Sequence, residues 1–282
     1  MIYINDETIE RFIKEDVPYI DLTTYVLGIG NEKGCICFTS REDMLLAGVE
    51  EVIRIFEKLG IRTNKLLPSG TRIGNGEMFL TAEGLVSSLH MAWKVSLNIL
   101  EYCCAMATRT RRMVDKARAV NPQISIVATR KCFPGTKELS IKSILAGGAY
   151  PHRLGLSETI LVFKQHVNFI GGFENIPQTV KQFRINACEK KIIVEVENES
   201  EALLLAKCDI DGIQFDKINA MDLKDMVQKI RKINPKITLI AAGCVNESNV
   251  NEYAATGIDA IATTSVYFGK PSDIKCTIDK LK

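Results

Sequence analysis

The chain has 282 residues, 46% of them hydrophobic and 25% charged, and 36 Lys+Arg against 34 Asp+Glu leave a formal charge of +2. That length gives one or two domains at about 150 residues each, and the balanced charge excludes a globally basic nucleic-acid coat or an acidic disordered tail. No run of about 18 uncharged apolar residues occurs, and the start MIYINDETIERF is charged and amphipathic, so a cytoplasmic protein with no membrane and no nucleic-acid partner is expected.

Along the chain, Ile9, Phe12 and Ile13 sit at helical spacing over Thr8–Lys14, and Pro18 breaks the pattern. Residues 34–39 (GCICFT) predict a strand, and Met44 to Leu59 predicts an amphipathic helix closed by Gly60. From Leu66 to Leu80, Pro68, Gly70, Gly74 and Gly76 suit short strands joined by turns. Leu85 to about Ala119 is a long proline-free helical pattern, one helix or two.

After Pro122 the texture changes to alternation. Apolar runs at 124–128, 159–163, 192–196, 212–215, 237–241 and 259–262 read as buried parallel strands. Helical segments at 137–146, 199–206, 221–233 and 247–256 lie between several of them. That rhythm predicts an α/β barrel or a doubly wound sheet. The nine cysteines are scattered without a C-x-x-C pair, and there are only three histidines; reduced thiols are expected rather than disulfides or a zinc site.

The residues just beyond each strand carry the chemistry. In a parallel sheet the C-terminal strand ends converge on one rim, where ligands bind. Here the runs end in Thr129-Arg130-Lys131, Lys164-Gln165-His166, Glu195 with Glu197, Asp216-Lys217, Ala242-Gly243-Cys244 and Thr263-Thr264-Ser265. With His152 and Arg153, the cations Arg130, Lys131 and Lys164 can hold an anion of several charges, joined by Lys137 beyond the Pro134-Gly135 turn. Glu195 and Asp216 can hold Mg²⁺ or stabilise positive charge on a sugar ring. Glu197 shares the face of Glu195 by period-two alternation, so either can point inward. The loops at Ala242-Gly243-Cys244 and Thr264-Ser265 are candidate phosphate cradles through their backbone N–H groups. The set points to chemistry on a phosphorylated sugar.

Three strings place the chain in a family context. Glu15-Asp16-Val17-Pro18-Tyr19 with Asp21-Leu22-Thr23-Thr24, Thr129-Arg130-Lys131 with Pro134-Gly135, and His152-Arg153-Leu154-Gly155-Leu156 resemble quinolinate phosphoribosyltransferase (nicotinate-nucleotide pyrophosphorylase, carboxylating). Trp93-Lys94-Val95, Phe133 and the segment from Leu156 to Phe163 resemble the ModD branch of that family, which is associated with molybdenum transport. The resemblance runs nearly end to end. It implies an N-terminal open α/β sandwich domain (1–103, completed by 269–282) and an incomplete six- or seven-stranded α/β barrel (104–268). It also implies a homodimer with shared active sites, and transfer of phosphoribose from 5-phosphoribosyl pyrophosphate to an anionic aromatic acid such as quinolinate, with Mg²⁺.

By the same resemblance, substrate-binding cations fall on Arg130, Lys131, His152 and Arg153, and the acid pair on Glu195 and Asp216. The arginine that a neighbouring subunit contributes falls on Lys94. A site lysine falls on Phe163, next to Lys164, and the Ser-Gly-Gly phosphate loop reads Ala242-Gly243-Cys244. Two other readings of the same rim stay open: a non-catalytic anion-binding or regulatory protein linked to molybdate transport, and a Schiff-base aldolase using Lys164 or Lys131 as nucleophile.

Overall fold

The computed structural model describes residues 2–281. In chain order the elements are α1 (Asp6–Asp16), α2 (Leu22–Leu27), β1 (Lys33–Ser40), β2 (Met44–Leu45), α3 (Val49–Lys58), β3 (Arg62–Leu66), β4 (Arg72–Ile73), β5 (Met78–Leu85), α4 (Val86–Val120), β6 (Ser125–Ala128), α5 (Lys137–Ala146) and β7 (Tyr150–Pro151). They continue with β8 (Ile160–Val162), α6 (Lys164–Val167), α7 (Ile176–Asn186), β9 (Ile192–Val196), α8 (Glu199–Leu205), β10 (Gly212–Asp216), α9 (Ala220–Ile233), β11 (Thr238–Ala242), α10 (Val250–Ala254), β12 (Ala260–Thr263) and β13 (Ile274–Lys280). The chain divides into two compact units. The first comprises residues 1–111, 133–148 and 267–282, and the second residues 112–132 and 149–266. The boundaries differ from those expected, since residues 104–111 and the whole of α5 group with the first unit.

The first unit is built on an antiparallel sheet in the order β13-β1-β5-β3, with β2 and β4 as a separate pair. Strand β1 alternates strictly, burying Ile36 and Phe38 while Cys35 and Cys37 are half-buried. Phe38 meets Phe56 of α3 and Phe79 of β5, each at 6.4 Å between ring centroids. The helix expected from Met44 starts only at Val49. Met44 and Leu45 instead pair with Ile73 and Arg72, and Gly48 caps α3 in the left-handed region at φ 81°. A Cβ at Gly48 would lie 3.1 Å from Cys103 Cβ, so the turn needs glycine both for its φ and for its space. Inside this unit the buried Glu51 carboxylate is met by Lys142 of α5, the kind of pairing a buried charge requires. Residues 86–120 form a single helix, with no proline or glycine to divide it.

The second unit is a seven-stranded parallel sheet in the order β7-β6-β12-β11-β10-β9-β8. Its strands read as continuous apolar runs because both faces are covered. One face presents Val194, Val196, Ile213, Phe215, Leu239, Ala241 and Ile261, all at most 1% exposed. The other gathers Leu161, Ile193, Ile240, Ala242, Ala260 and Ala262 into its own cluster, with Val127 and Phe163 packed against it. The alanines on β11 and β12 keep that second face hollow. The two edge strands, β7 and β8, are not hydrogen-bonded to each other, so the sheet curls as an incomplete barrel with an open seam. No helix among the described residues is long and apolar enough to cross a membrane.

Candidate active site

A cavity of about 720 Å³ opens at the C-terminal ends of these seven strands, within the size range of small-molecule sites. Strand parity explains its lining. On β9, Ile193 lies in the hollow-face cluster, and Glu195, two residues on, repeats its orientation. On β10 the same face carries Gln214 and Asp216; beyond β6, β8 and β12 it carries Thr129, Phe163 and Thr264, all of which line the cavity. The register places Glu195 opposite Gln214, and Asp216 opposite Ala242.

The acid pair therefore comes together. Glu195 Oε2 accepts a hydrogen bond of 2.7 Å from Gln214 Nε2, while Gln214 Oε1 is buried without a partner. Burial pushes the Glu195 carboxyl above its ordinary pKa; the Gln214 bond opposes this and the nearby Asp216 adds to it. Asp216 Oδ2 lies 3.5 Å from Lys217 Nζ. Both carboxylates line the cavity, as do Arg130, Lys131, His152 and Arg153.

Two backbone turns shape the rim beside the acids. Lys217 and Cys244 both adopt φ of 57° and Gly243 adopts 76°, conformations that cost a non-glycine residue energy and concentrate at functional sites. A Cβ on Gly243 would stand 2.6 Å from Lys217 Cγ and 2.7 Å from Asp216 Oδ1. Glycine there lets the loop approach the acid strand. Asn249 Nδ2 donates to the Cys244 carbonyl at 3.0 Å. The hydroxyl loop is tied down as well: Thr263 Oγ1 donates to the Val245 carbonyl at 2.7 Å, Thr129 and Thr264 hydroxyls meet at 2.8 Å, and Ser265 N donates to Thr263 Oγ1 at 3.1 Å. All five residues of the expected phosphate cradle, Ala242, Gly243, Cys244, Thr264 and Ser265, line the cavity.

Lys164 is a correction. Strand β8 ends at Val162 and Phe163 caps the short α6, so strand parity sends the Phe163 ring into the cavity. Lys164 begins the helix instead, exposed, with Nζ 2.6 Å from Glu197 Oε2. That ion pair also settles Glu197, which lies beyond the end of β9. With Lys164 paired outside, the Schiff-base reading loses one of its two nucleophiles. Lys164→Met is expected to leave turnover within about twofold of wild type, because an exposed ion pair contributes at most about 1 kcal/mol; steady-state assay decides, and a loss beyond tenfold would return the residue to the site. Lys94 lies on α4 in the first unit, its Nζ 4.4 Å from the Trp93 ring centroid, and is not among the lining residues. Lys137 likewise belongs to the first unit.

Sequence reading placed Lys217 on the rim beside Asp216, and it lines the cavity, but the reading missed Gln214 and Asn246. Gln214 was detectable, because it stands two residues before Asp216 and so shares its face. Asn246 carries no such signal, since it lies in the loop four residues beyond the end of β11.

Comparison with known proteins gives a two-part match. Residues 21–104 match the quinolinate phosphoribosyl transferase N-terminal domain, and residues 106–276 match the C-terminal domain of that family. The chain is 36% identical over 280 residues to the ModD protein of Pasteurella multocida, covering 99% of each chain. It is 29% identical over 283 residues to a protein of Methanothermobacter thermautotrophicus named probable nicotinate-nucleotide pyrophosphorylase (carboxylating), covering 98% of this chain and 99% of that one. The crystal structure of nicotinate-nucleotide pyrophosphorylase from Ehrlichia chaffeensis is similar at a TM-score of 0.90 and 25% identity, over 99% of this chain and 100% of the other.

Proposed function

Because the chain belongs to the quinolinate phosphoribosyl transferase family, we propose that its second unit transfers phosphoribose from 5-phosphoribosyl pyrophosphate to the ring nitrogen of an anionic aromatic acid, releasing pyrophosphate. The observation that carries this reading is the convergence of Arg130, Lys131, Arg153, Glu195 and Asp216 on one cavity. The cations suit the phosphate oxygens and the acceptor carboxylate. As pyrophosphate departs, positive charge develops at C1 of the ribose, and Glu195 with Asp216 stabilises it until the acceptor nitrogen attacks. Fixed charges in a water-poor site do this without reorganising. The Ala242-Gly243-Cys244 turn and Thr264-Ser265 hold the 5-phosphate.

The donor set also fits Mg²⁺ delivered with the substrate. Two carboxylates line the cavity, and no group of three or more metal-ligating side chains occurs among the described residues. Mg²⁺ characteristically takes one or two carboxylates and completes its shell with water and substrate phosphates. Glu195 and Asp216 would hold it, and when bound it supplies charge neutralisation to the departing pyrophosphate.

Pyrophosphate release from 5-phosphoribosyl pyrophosphate, assayed with a panel of aromatic acids and increasing Mg²⁺, tests the proposal. Acceptor-dependent release is the expected result. A protein that only binds anions would hold the donor and release nothing, and that outcome would overturn the transfer.

The reading includes a homodimer in which Lys94 of one subunit serves the cavity of the other, on the family resemblance of that position. Lys94→Ala and Arg130→Ala subunits, each inactive alone, should then regain about a quarter of wild-type activity when mixed, because random exchange makes half the dimers hybrid and each hybrid carries one intact site. No recovery after verified subunit exchange would exclude the shared site.

A further inference from the structure

The seam between β7 and β8 has a chemistry of its own. The chain crosses it through residues 152–159, and what faces across it is a guanidinium and an aromatic ring rather than a hydrogen-bond ladder. Arg153 Cζ lies 5.9 Å from the Phe163 ring centroid, and Arg153 Nη1 donates to the Thr159 carbonyl at 3.3 Å. On its other side Phe163 is held by His166: the two rings stack at 5.8 Å and 25°, and the Phe163 backbone N–H donates to His166 Nδ1 at 2.9 Å.

Arg153 is only 7% exposed, yet no carboxylate among the described residues lies within ion-pair distance of it. Two charges act on it, Arg130, which repels it, and Glu158, which attracts it, and Glu158 Oε2 also accepts the Leu154 N–H at 2.5 Å. A buried guanidinium that forms no ion pair within the protein gains from a carboxylate carried by a ligand. Beside it, His152 Nε2 is buried with no hydrogen-bond partner, and burial together with Arg153 holds that imidazole below its ordinary pKa. Leu161, Phe163 and Gln165 also line this side of the cavity.

We infer, resting on the transfer reading above, that the acceptor is a nitrogen heteroaromatic acid with a single carboxylate, its ring packed on Phe163 and its charge met by Arg153. The wall offers one buried positive charge, one π face and one unpartnered imidazole nitrogen. A second carboxylate on the same ring, lying against Phe163 or Leu161, would lose its hydration without compensation. A hydroxyl, carbonyl or amide at that position would instead meet His152 Nε2 at no such cost. The exposed cations Arg130, Lys131 and Lys217 remain for the pyrophosphorylated ribose, whose several negative charges need them.

Calorimetric titration of the full-length protein with pyridine-3-carboxylate and with pyridine-2,3-dicarboxylate tests this directly. The monocarboxylate is expected to bind at least tenfold more tightly. Phe163→Leu should weaken the monocarboxylate at least fivefold while leaving the dicarboxylate unchanged, and Phe163→Lys should invert the order. Equal or tighter binding of the dicarboxylate by the wild type, an unchanged ratio in Phe163→Leu, or no binding of either probe would overturn the inference. If neither variant folds by circular dichroism, the wild-type ratio alone decides. Pyrophosphate release is scored separately: its absence defeats the transfer, whereas the affinity ratio judges the acceptor class.

Discussion

Glu195→Gln will lower pyrophosphate release by about 10²–10³-fold, the scale on which single groups stabilising a developing charge act. The substitution keeps the shape of the side chain. Gln214 Nε2, which donates to Glu195 Oε2 at 2.7 Å, donates equally to an amide oxygen, and the unpartnered Gln214 Oε1 gains a donor. What disappears is the negative charge facing the sugar. Because that charge acts on the transition state more than on the bound donor, kcat should fall while KM for 5-phosphoribosyl pyrophosphate changes by less than about threefold. Single-turnover release measured for both proteins decides; rates within threefold of each other would remove Glu195 from the reaction.

The same carboxyl sets a pH dependence whose sign comes from its surroundings. Burial and Asp216 raise its folded-state pKa above the ordinary glutamate value of 4.5. The acid limb of kcat/KM should accordingly lie above the usual carboxylate range and vanish in Glu195→Gln. Stability moves the other way. A carboxyl whose folded pKa exceeds its unfolded one binds its proton more tightly in the native state, so stability is greatest below the unfolded pKa and declines as pH rises through the folded one. Glu195→Gln lacks this penalty. Its melting temperature at pH 7 should exceed that of the wild type, and the gap should close below about pH 4. A site that gives up stability for charge placement behaves this way.

The contrast between Glu195 and Glu197 shows which parts of the site are legible in the sequence. Buried parallel strands are long apolar runs because both faces are covered, so their positions stand out, and a carboxylate inside one, Glu195, is conspicuous. Period-two alternation then fixes facing only as far as the strand continues. The alternation that sends Phe163 inward already puts Lys164 on the opposite face, whereas β9 stops at Val196 and beyond it Glu197 leaves the face of Glu195 to pair with Lys164, a departure that neither residue encodes by itself. The two-residue strand β7 and the six-residue helix α2 are too short to impose a period, so no pattern reveals them. Gly48 marks the other kind of failure. The amphipathic pattern from Met44 is real, but pairing of Met44 and Leu45 with β4 and the left-handed glycine move the helix start to Val49. The strength of a pattern locates an element; tertiary partners set its ends.

Arg153→Leu will separate binding from stability in the opposite sense to an ordinary core substitution. Removing a charged side chain that is 7% exposed normally strands a partner, and the destabilisation comes from the partner left behind. Here no ion pair is broken: Glu158 attracts the guanidinium, but desolvation and the like-charged Arg130 outweigh it and hold Arg153 below its ordinary pKa. The fold gives up one hydrogen bond to the Thr159 carbonyl, about 1 kcal/mol, together with the guanidinium's place over the Phe163 ring, and is relieved of the desolvation of a buried cation. The two terms oppose, so the melting temperature should stay within about 3 °C of wild type. Acceptor binding has no such offset. A hydrogen-bonded charge lost from a buried site costs about 2 kcal/mol, which is a roughly 30-fold rise in the acceptor KM, with KM for 5-phosphoribosyl pyrophosphate changing far less. Melting curves and initial-rate kinetics on the same preparation test both halves. A variant that unfolds early would show Arg153 to be a structural residue, whereas an unchanged acceptor KM would mean that the guanidinium meets no anion.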